Sequence, residues 1–190
     1  LLDNETVARL TRNSFRTTTV DNVELTPEIQ ELEFTLEQIE LGEFEHFMLK
    51  EIHEQPDTLR TCIQGRVDAL NTKIVLGGVA DFETELAKAK RVLLLGQGTA
   101  LHAAMIGEYL FEKLAGIPTE VEFASEFRYR NPIVEEDTVA IAVSQSGETA
   151  DTLAAVQEAK RRGALTFGAV NVVGSTIARD TDAGVYLRVG

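Results

Sequence analysis

Residues 138–163 read TVAIAVSQSGETADTLAAVQEAKRRG. The run 138–143 is apolar without alternation, as expected of a strand covered on both faces of a parallel sheet. Residues 149–163 read as a helix. Between them, SQSGET (144–149) packs three hydroxyls, a glutamine and a glycine into six residues. A plain strand-to-helix turn needs one glycine and one capping hydroxyl. The surplus donors sit where a helix N-terminus offers unpaired N–H groups and the positive end of its dipole, a natural seat for an anion.

The same alternation extends on both sides. Strands are expected at 92–96, 119–123, 139–143, 165–172 and 184–189, with helices at 100–116, near 125–129, and at 149–163 and 175–181. Alternating strands and helices with short connections imply an α/β fold: an open, doubly wound parallel sheet with helices on both faces. Ligands of such sheets sit beyond the carboxyl ends of the strands, where strand order reverses. Both SQSGET and GQGTA (96–100) are expected at such ends.

The chain has 190 residues, 44% of them hydrophobic, and a formal net charge of -13. That balance argues against nucleic acid, whose binding rests on many Lys and Arg contacts to phosphates. Between Asp21 and Asp57 twelve acids face one base, Lys50, a run that reads as a solvated face or linker. Cys62 is the only cysteine, so no intrachain disulfide forms, and a reducing, cytoplasmic setting is expected. No apolar stretch approaches the ~20 residues of a membrane span.

Residues 1–35 contain two short β-branched runs, TVARLT and SFRTTTV, with a turn expected at Asp21-Asn22. Two such strands are not stable alone, so this segment belongs to another domain or a packed appendage. A linker is expected over 36–47. A helix then starts near Glu45, with Phe47, Ile52, Leu59, Cys62 and Ile63 on one face and a break at Gln55-Pro56. The chain begins at Leu1 rather than Met, which is expected of part of a longer polypeptide.

Several chemistries are disfavoured. SQSGET contains no Lys or Arg, and the Gly-x-x-x-x-Gly-Lys-Ser/Thr pattern of nucleoside triphosphate sites is absent. GQGTA lacks the third glycine of a dinucleotide fingerprint, Leu101 standing there. It reads otherwise as a tight turn with Thr99 as cap. His46, His53 and His102 have no metal-ligand spacing, so no metal is expected. Ser144 and Ser146 lack the Gly-x-Ser-x-Gly elbow of serine hydrolases. Glu148 and Asp151 read as helix-dipole partners before they read as acid/base groups. Neutral donors plus a dipole suit a sugar monophosphate; the plainer reading is a turn with Thr149 as cap.

SQSGETADTL (144–153), FASEFRYR (123–130), NVVGSTIARDTD (171–182) and HFMLKEIHEQPDTLRTCIQGR (46–66) together resemble the first sugar-isomerase (SIS) domain of the glutamine–fructose-6-phosphate aminotransferases, or glucosamine-6-phosphate synthases. The resemblance implies that residues 1–35 are the closing strands of a glutaminase-type domain and that 48–190 form a first SIS domain lacking its C-terminal end. It implies a role in making glucosamine 6-phosphate and glutamate from fructose 6-phosphate and glutamine, with no cofactor. Gly98, Thr99, Ser144, Gln145, Ser146 and Thr149 would be the substrate contacts. The catalytic lysine, glutamate and histidine would lie beyond Gly190, and the glutaminase cysteine before Leu1, leaving no catalytic residue here. The lysines present fall on or beside expected helices. A homodimer through SIS domains is also implied. The family commonly has Cys-Gly-Thr-Ser where this chain has Gln97-Gly98-Thr99-Ala100. A non-catalytic sugar-phosphate sensor of the same fold stays open.

Overall fold

Five strands, β6 (Arg91–Gly96), β7 (Thr119–Phe123), β8 (Thr138–Ser144), β9 (Leu165–Val170) and β10 (Ala183–Tyr186), form one parallel sheet in the order β10-β9-β8-β6-β7. The computed structural model describes residues 5–25, 41–42 and 44–189. Two compact units result, Leu1–Lys50 and Glu51–Gly190. Of the linker expected over 36–47, residues 36–40 and 43 lie outside the described residues.

In the first unit β1 (Thr6–Leu10) and β2 (Phe15–Thr19) pair antiparallel, and β2 continues to β3 (Glu24–Leu25). The turn expected at Asp21-Asn22 is present: Thr19 N donates to Val23 O at 2.9 Å, and Asn22 takes φ 67°.

Helix α1 (Phe47–Ile63) runs through Pro56 without the expected break. Proline lacks the amide that would reach the Ile52 carbonyl. No residue of α1 is buried, so solvent has access to the carbonyl that Pro56 leaves unmatched. The next elements carry too little periodicity to be expected from sequence. They are a two-residue-per-strand hairpin, β4 (Val67–Asp68) with β5 (Lys73–Ile74), a 3-10 segment (Gly77–Phe82) and α2 (Glu83–Leu86). Lys73 therefore sits in a strand rather than beside a helix. The 3-10 segment lies against β10, where a Cβ on Gly78 would meet the Gly184 carbonyl oxygen at 2.0 Å. Its end packs edge to face through Phe82 on Phe167, with centroids 5.7 Å apart.

Helices α3 (Thr99–Leu110), α4 (Ala124–Phe127), α5 (Ala150–Arg161) and α6 (Thr176–Asp180) complete the alternation. After α3 a π turn (Phe111–Ala115) ends at Gly116, whose φ of 67° stops the helix. One face of the sheet packs Val92 and Leu94 against Ala104 of α3. The other packs Leu93, Leu95 and Ala140 against Phe127 of α4 and Ala155 and Ala159 of α5. The alternation of β6 residues between the two clusters explains its unbroken apolar run. An apolar groove of about 430 Å³ remains between α3 and the 3-10 segment, floored by Leu94, Ile141 and Phe167.

The order β10-β9-β8-β6-β7 places the reversal between β6 and β8. The crossover through α3 leads outward to β7, and the chain returns past β6 to form β8. Leu95 pairs with Ala142, so the loops after Gly96 and Ser144 leave the sheet side by side.

Candidate functional site

The SQSGET loop leaves β8 at buried Ser144 and enters α5 at Ala150. Gly147 takes φ 66°, a conformation costly for other residues. The turn is held from within by its serines. Gly147 N donates to Ser144 Oγ at 3.0 Å, and Glu148 N donates to Ser146 Oγ at 3.2 Å. Those two amides are thereby used. The donors left are the hydroxyl protons and the first-turn amides of α5, which have no carbonyl four residues earlier within the helix.

Thr149 occupies the cap position of α5 yet makes no side-chain capping bond. Its Oγ1 lies 3.4 Å from Ser144 Oγ instead. Thr99 likewise is not the cap of its helix. Gly98, with φ 55°, takes the cap position of α3, and Thr99 is the first helical residue. A glycine there gives the positive φ that threonine disfavours.

Among the expected contacts, Ser144, Ser146 and Thr149 are brought onto one turn. Gln145 is exposed at its outer side. Gly98 and Thr99 stand exposed at the end of the neighbouring strand. Beside them Gln97 buries an Oε1 that has no hydrogen-bond partner among the described residues. An orphaned acceptor of this kind is costly until a donor arrives.

Sequence reading missed what braces the loop. Asn171 N donates to Gln145 O at 3.2 Å, and Ile177 N donates to Gly147 O at 2.9 Å. Thr176 N donates to Glu148 Oε1 at 2.8 Å. Glu148 thus serves a helix start, but that of α6 rather than of α5, which it precedes in sequence. Thr176 and Arg179 hold its carboxyl below the ordinary range. Asn171 is itself fixed by a reciprocal pair with the Val189 backbone, at 2.6 and 2.8 Å. A base also reaches the region from outside the loop: the Arg128 guanidinium lies 3.8 Å from Asp151 in the first turn of α5. It stacks on Tyr129 at 4.6 Å from the ring centroid.

Residues 85–190 match the SIS domain model. The chain is 53% identical over 184 residues to a glutamine–fructose-6-phosphate aminotransferase [isomerizing] of Chlorobaculum tepidum, covering 97% of this chain and 30% of the relative. It is 51% identical over 171 residues to a protein of the same name from Bacteroides thetaiotaomicron, covering 90% of this chain and 28% of that one. A solved structure, the C-terminal domain of glucosamine-fructose-6-phosphate aminotransferase from Francisella tularensis, superposes with a TM-score of 0.70 at 33% identity. It covers 78% of this chain and 41% of that one. The chain thus spans about 30% of the length of the curated relatives it matches. A parallel sheet of this order, a hydroxyl-rich loop at its reversal point and a model match over more than half the residues agree: the chain belongs to the SIS-domain family.

Proposed function

We propose that this chain is the sugar-phosphate-binding part of a glutamine–fructose-6-phosphate aminotransferase. The parent protein would make glucosamine 6-phosphate and glutamate from fructose 6-phosphate and glutamine. The observation that carries the reading is the Thr149 hydroxyl, which stands at a helix start without capping that helix and faces Ser144 instead. The Ser144 and Ser146 oxygens accept loop amides, which leaves their protons and the Thr149 hydroxyl, held only by a long 3.4 Å contact, to turn to a ligand. Phosphate oxygens would take the hydroxyl protons of Ser144, Ser146 and Thr149 together with first-turn amides of α5. Gln145, Gly98 and Thr99 would meet the sugar. A sugar hydroxyl would also satisfy the buried Gln97 Oε1.

Residues 1–35 would close a glutaminase-type domain, 36–47 would link it, and 48–190 would make up the first SIS domain. The ring-opening and amination chemistry would come from parts of the polypeptide outside this chain. A homodimer through SIS domains and a cytoplasmic setting belong to the same proposal, as do the absence of nucleic-acid and membrane partners. Among the described residues no helix is long and apolar enough to cross a membrane.

Calorimetric titration of the chain with fructose 6-phosphate, glucosamine 6-phosphate and fructose tests the reading. Binding of both phosphates with fructose much weaker is expected. Equal binding of fructose and fructose 6-phosphate would remove the phosphate from the argument and the proposal with it.

A further inference from the structure

An acidic residue inside a phosphate-binding loop presents a physical difficulty, because a free carboxylate there repels the ligand. Glu148 is such a residue, flanked by Gly147 and Thr149. Its charge is committed elsewhere: Oε1 accepts the Thr176 amide at 2.8 Å. That amide belongs to the first residue of α6 and has no intrahelical partner of its own. Arg179, one turn along the same helix, donates to Thr176 Oγ1 at 3.2 Å and adds its positive charge near the carboxylate.

The site loop touches the 171–177 segment at three points, through the Gln145 carbonyl, the Gly147 carbonyl and the Glu148 carboxylate. Only the last is made by a site-loop side chain. Between the second and third points the chain is closely seated. A Cβ on Gly147 would meet Ser175 Oγ at 2.0 Å, and Ser175 is 3% exposed. Ser146 and Thr149 stand on either side of Gly147-Glu148. The spacing of their hydroxyls therefore depends on where that dipeptide is pinned.

We propose that Glu148 is a positioning residue for the anion site: it clasps the SQSGET loop to the start of α6 and thereby sets the separation of the Ser146 and Thr149 donors. The inference rests on the reading that the loop binds a sugar phosphate, but the clasp has consequences in the empty protein. Glu148→Ala removes the acceptor. Glu148→Gln keeps an oxygen acceptor and removes the charge. Thr176→Pro removes the donor from the other side. Proline fits the first helical position, and Ser175, at φ -60° and ψ 162°, already has the backbone that precedes a proline.

The test combines fructose 6-phosphate and inorganic phosphate titrations with amide hydrogen exchange on the ligand-free chain, read for wild type, the three variants and the Glu148→Ala/Thr176→Pro double variant. Glu148→Ala and Thr176→Pro should each weaken fructose 6-phosphate binding about tenfold. The double variant should be no worse than Thr176→Pro, which also releases Arg179 from Thr176 Oγ1, because both single changes break the same Glu148–Thr176 bond. Glu148→Gln should stay close to wild type. In the empty protein Glu148→Ala should speed exchange at Thr176 and Ile177 while leaving the β8 amides unchanged. Wild-type affinity in Glu148→Ala overturns the proposal, as do tighter binding and additive losses in the double variant. Should wild type bind no sugar phosphate, the functional reading falls, and the clasp is judged on exchange alone: unchanged rates at Thr176 and Ile177 in Glu148→Ala overturn it. If Glu148→Ala does not fold, Thr176→Pro against Glu148→Gln carries the same comparison.

Discussion

The Thr149 hydroxyl lies 3.4 Å from the Ser144 hydroxyl, across the turn that joins β8 to α5, and does not cap the helix that it precedes. Loss of a capping side chain ordinarily costs about 1 kcal/mol of stability. Thr149 has no such bond to lose.

Thr149→Ala is therefore expected to lower the unfolding temperature of the empty chain by less than a lost cap would. The same change should weaken fructose 6-phosphate binding by about 1–3 kcal/mol, the usual effect of removing one partner of a charge-assisted bond. Thermal unfolding with and without ligand separates the two, since the ligand-induced shift follows affinity. A lower midpoint for the empty chain with an unaltered ligand shift would return Thr149 to a capping role.

Gly147 should tolerate no side chain. A Cβ there would meet the Ser175 Oγ at 2.0 Å and its Cβ at 2.5 Å, on a backbone with φ 66°. Gly147→Ala is expected to cost about 1–3 kcal/mol by urea denaturation, through positive-φ strain and overpacking. Ser175→Ala alone should be near neutral, because it removes a buried hydroxyl that has no partner among the described residues. Combining it with Gly147→Ala should recover only part of the loss, since the Ser175 Cβ still clashes. A freely tolerated Gly147→Ala would contradict this account of the turn.

The site's own donors were legible in the sequence because they are contiguous: six residues between an apolar run and a helix. Its supports were not. Glu148 meets Thr176 and Gln145 meets Asn171 across 28 and 26 positions respectively, and no local pattern announces such a pairing. The sheet was legible for a related reason. Each β6 and β8 strand is buried on both faces, so its residues form runs that only a covered parallel strand needs. Where packing rather than pattern decides, local sequence is silent. Pro56 reads as a helix break, yet the helix continues through it at an exposed surface. The 3-10 segment over β10 exists because Gly78 and Gly184 let two backbones approach, which periodicity does not encode. Strand β9 ends at Val170 rather than 172, because Asn171 turns to pair with Val189.

Acid should find a specific weak point in α5. Arg161 and Arg162 hold the Glu158 carboxyl down at about 2, against an ordinary 4.5. Arg162 also ties α5 to the β7–β8 connection through Asn131 Oδ1 at 2.6 Å. A depressed folded-state value means the contribution is fully present above 4.5 and is lost as pH falls through about 2. Arg161 is 68% exposed, so solvent screening limits the effect, and about 1 kcal/mol is expected. Urea midpoints measured from pH 6 down to 3 should fall less steeply in Glu158→Gln than in wild type. Parallel curves would show that the ion pairs contribute nothing.

Ala100 is the second residue of α3, half-buried, in the first turn of a helix whose cap position is held by Gly98. The loop carrying it leaves the sheet beside SQSGET, as fixed by the Leu95–Ala142 pairing. A serine at 100 would add one hydroxyl at a helix start, where the amides and dipole already favour an anion. It would cost little in the empty chain, since the added group lies at the edge of the core and can be solvated. Ala100→Ser is therefore expected to tighten fructose 6-phosphate binding by about 1 kcal/mol, with an unchanged unfolding midpoint in the absence of ligand. Fructose should gain much less, because the benefit comes from the charge on the phosphate. Thr99→Ala provides the opposite arm and should weaken binding of the same ligand. If Ala100→Ser leaves affinity for fructose 6-phosphate unchanged, the α3 start does not face the ligand, and binding rests on the β8–α5 turn alone.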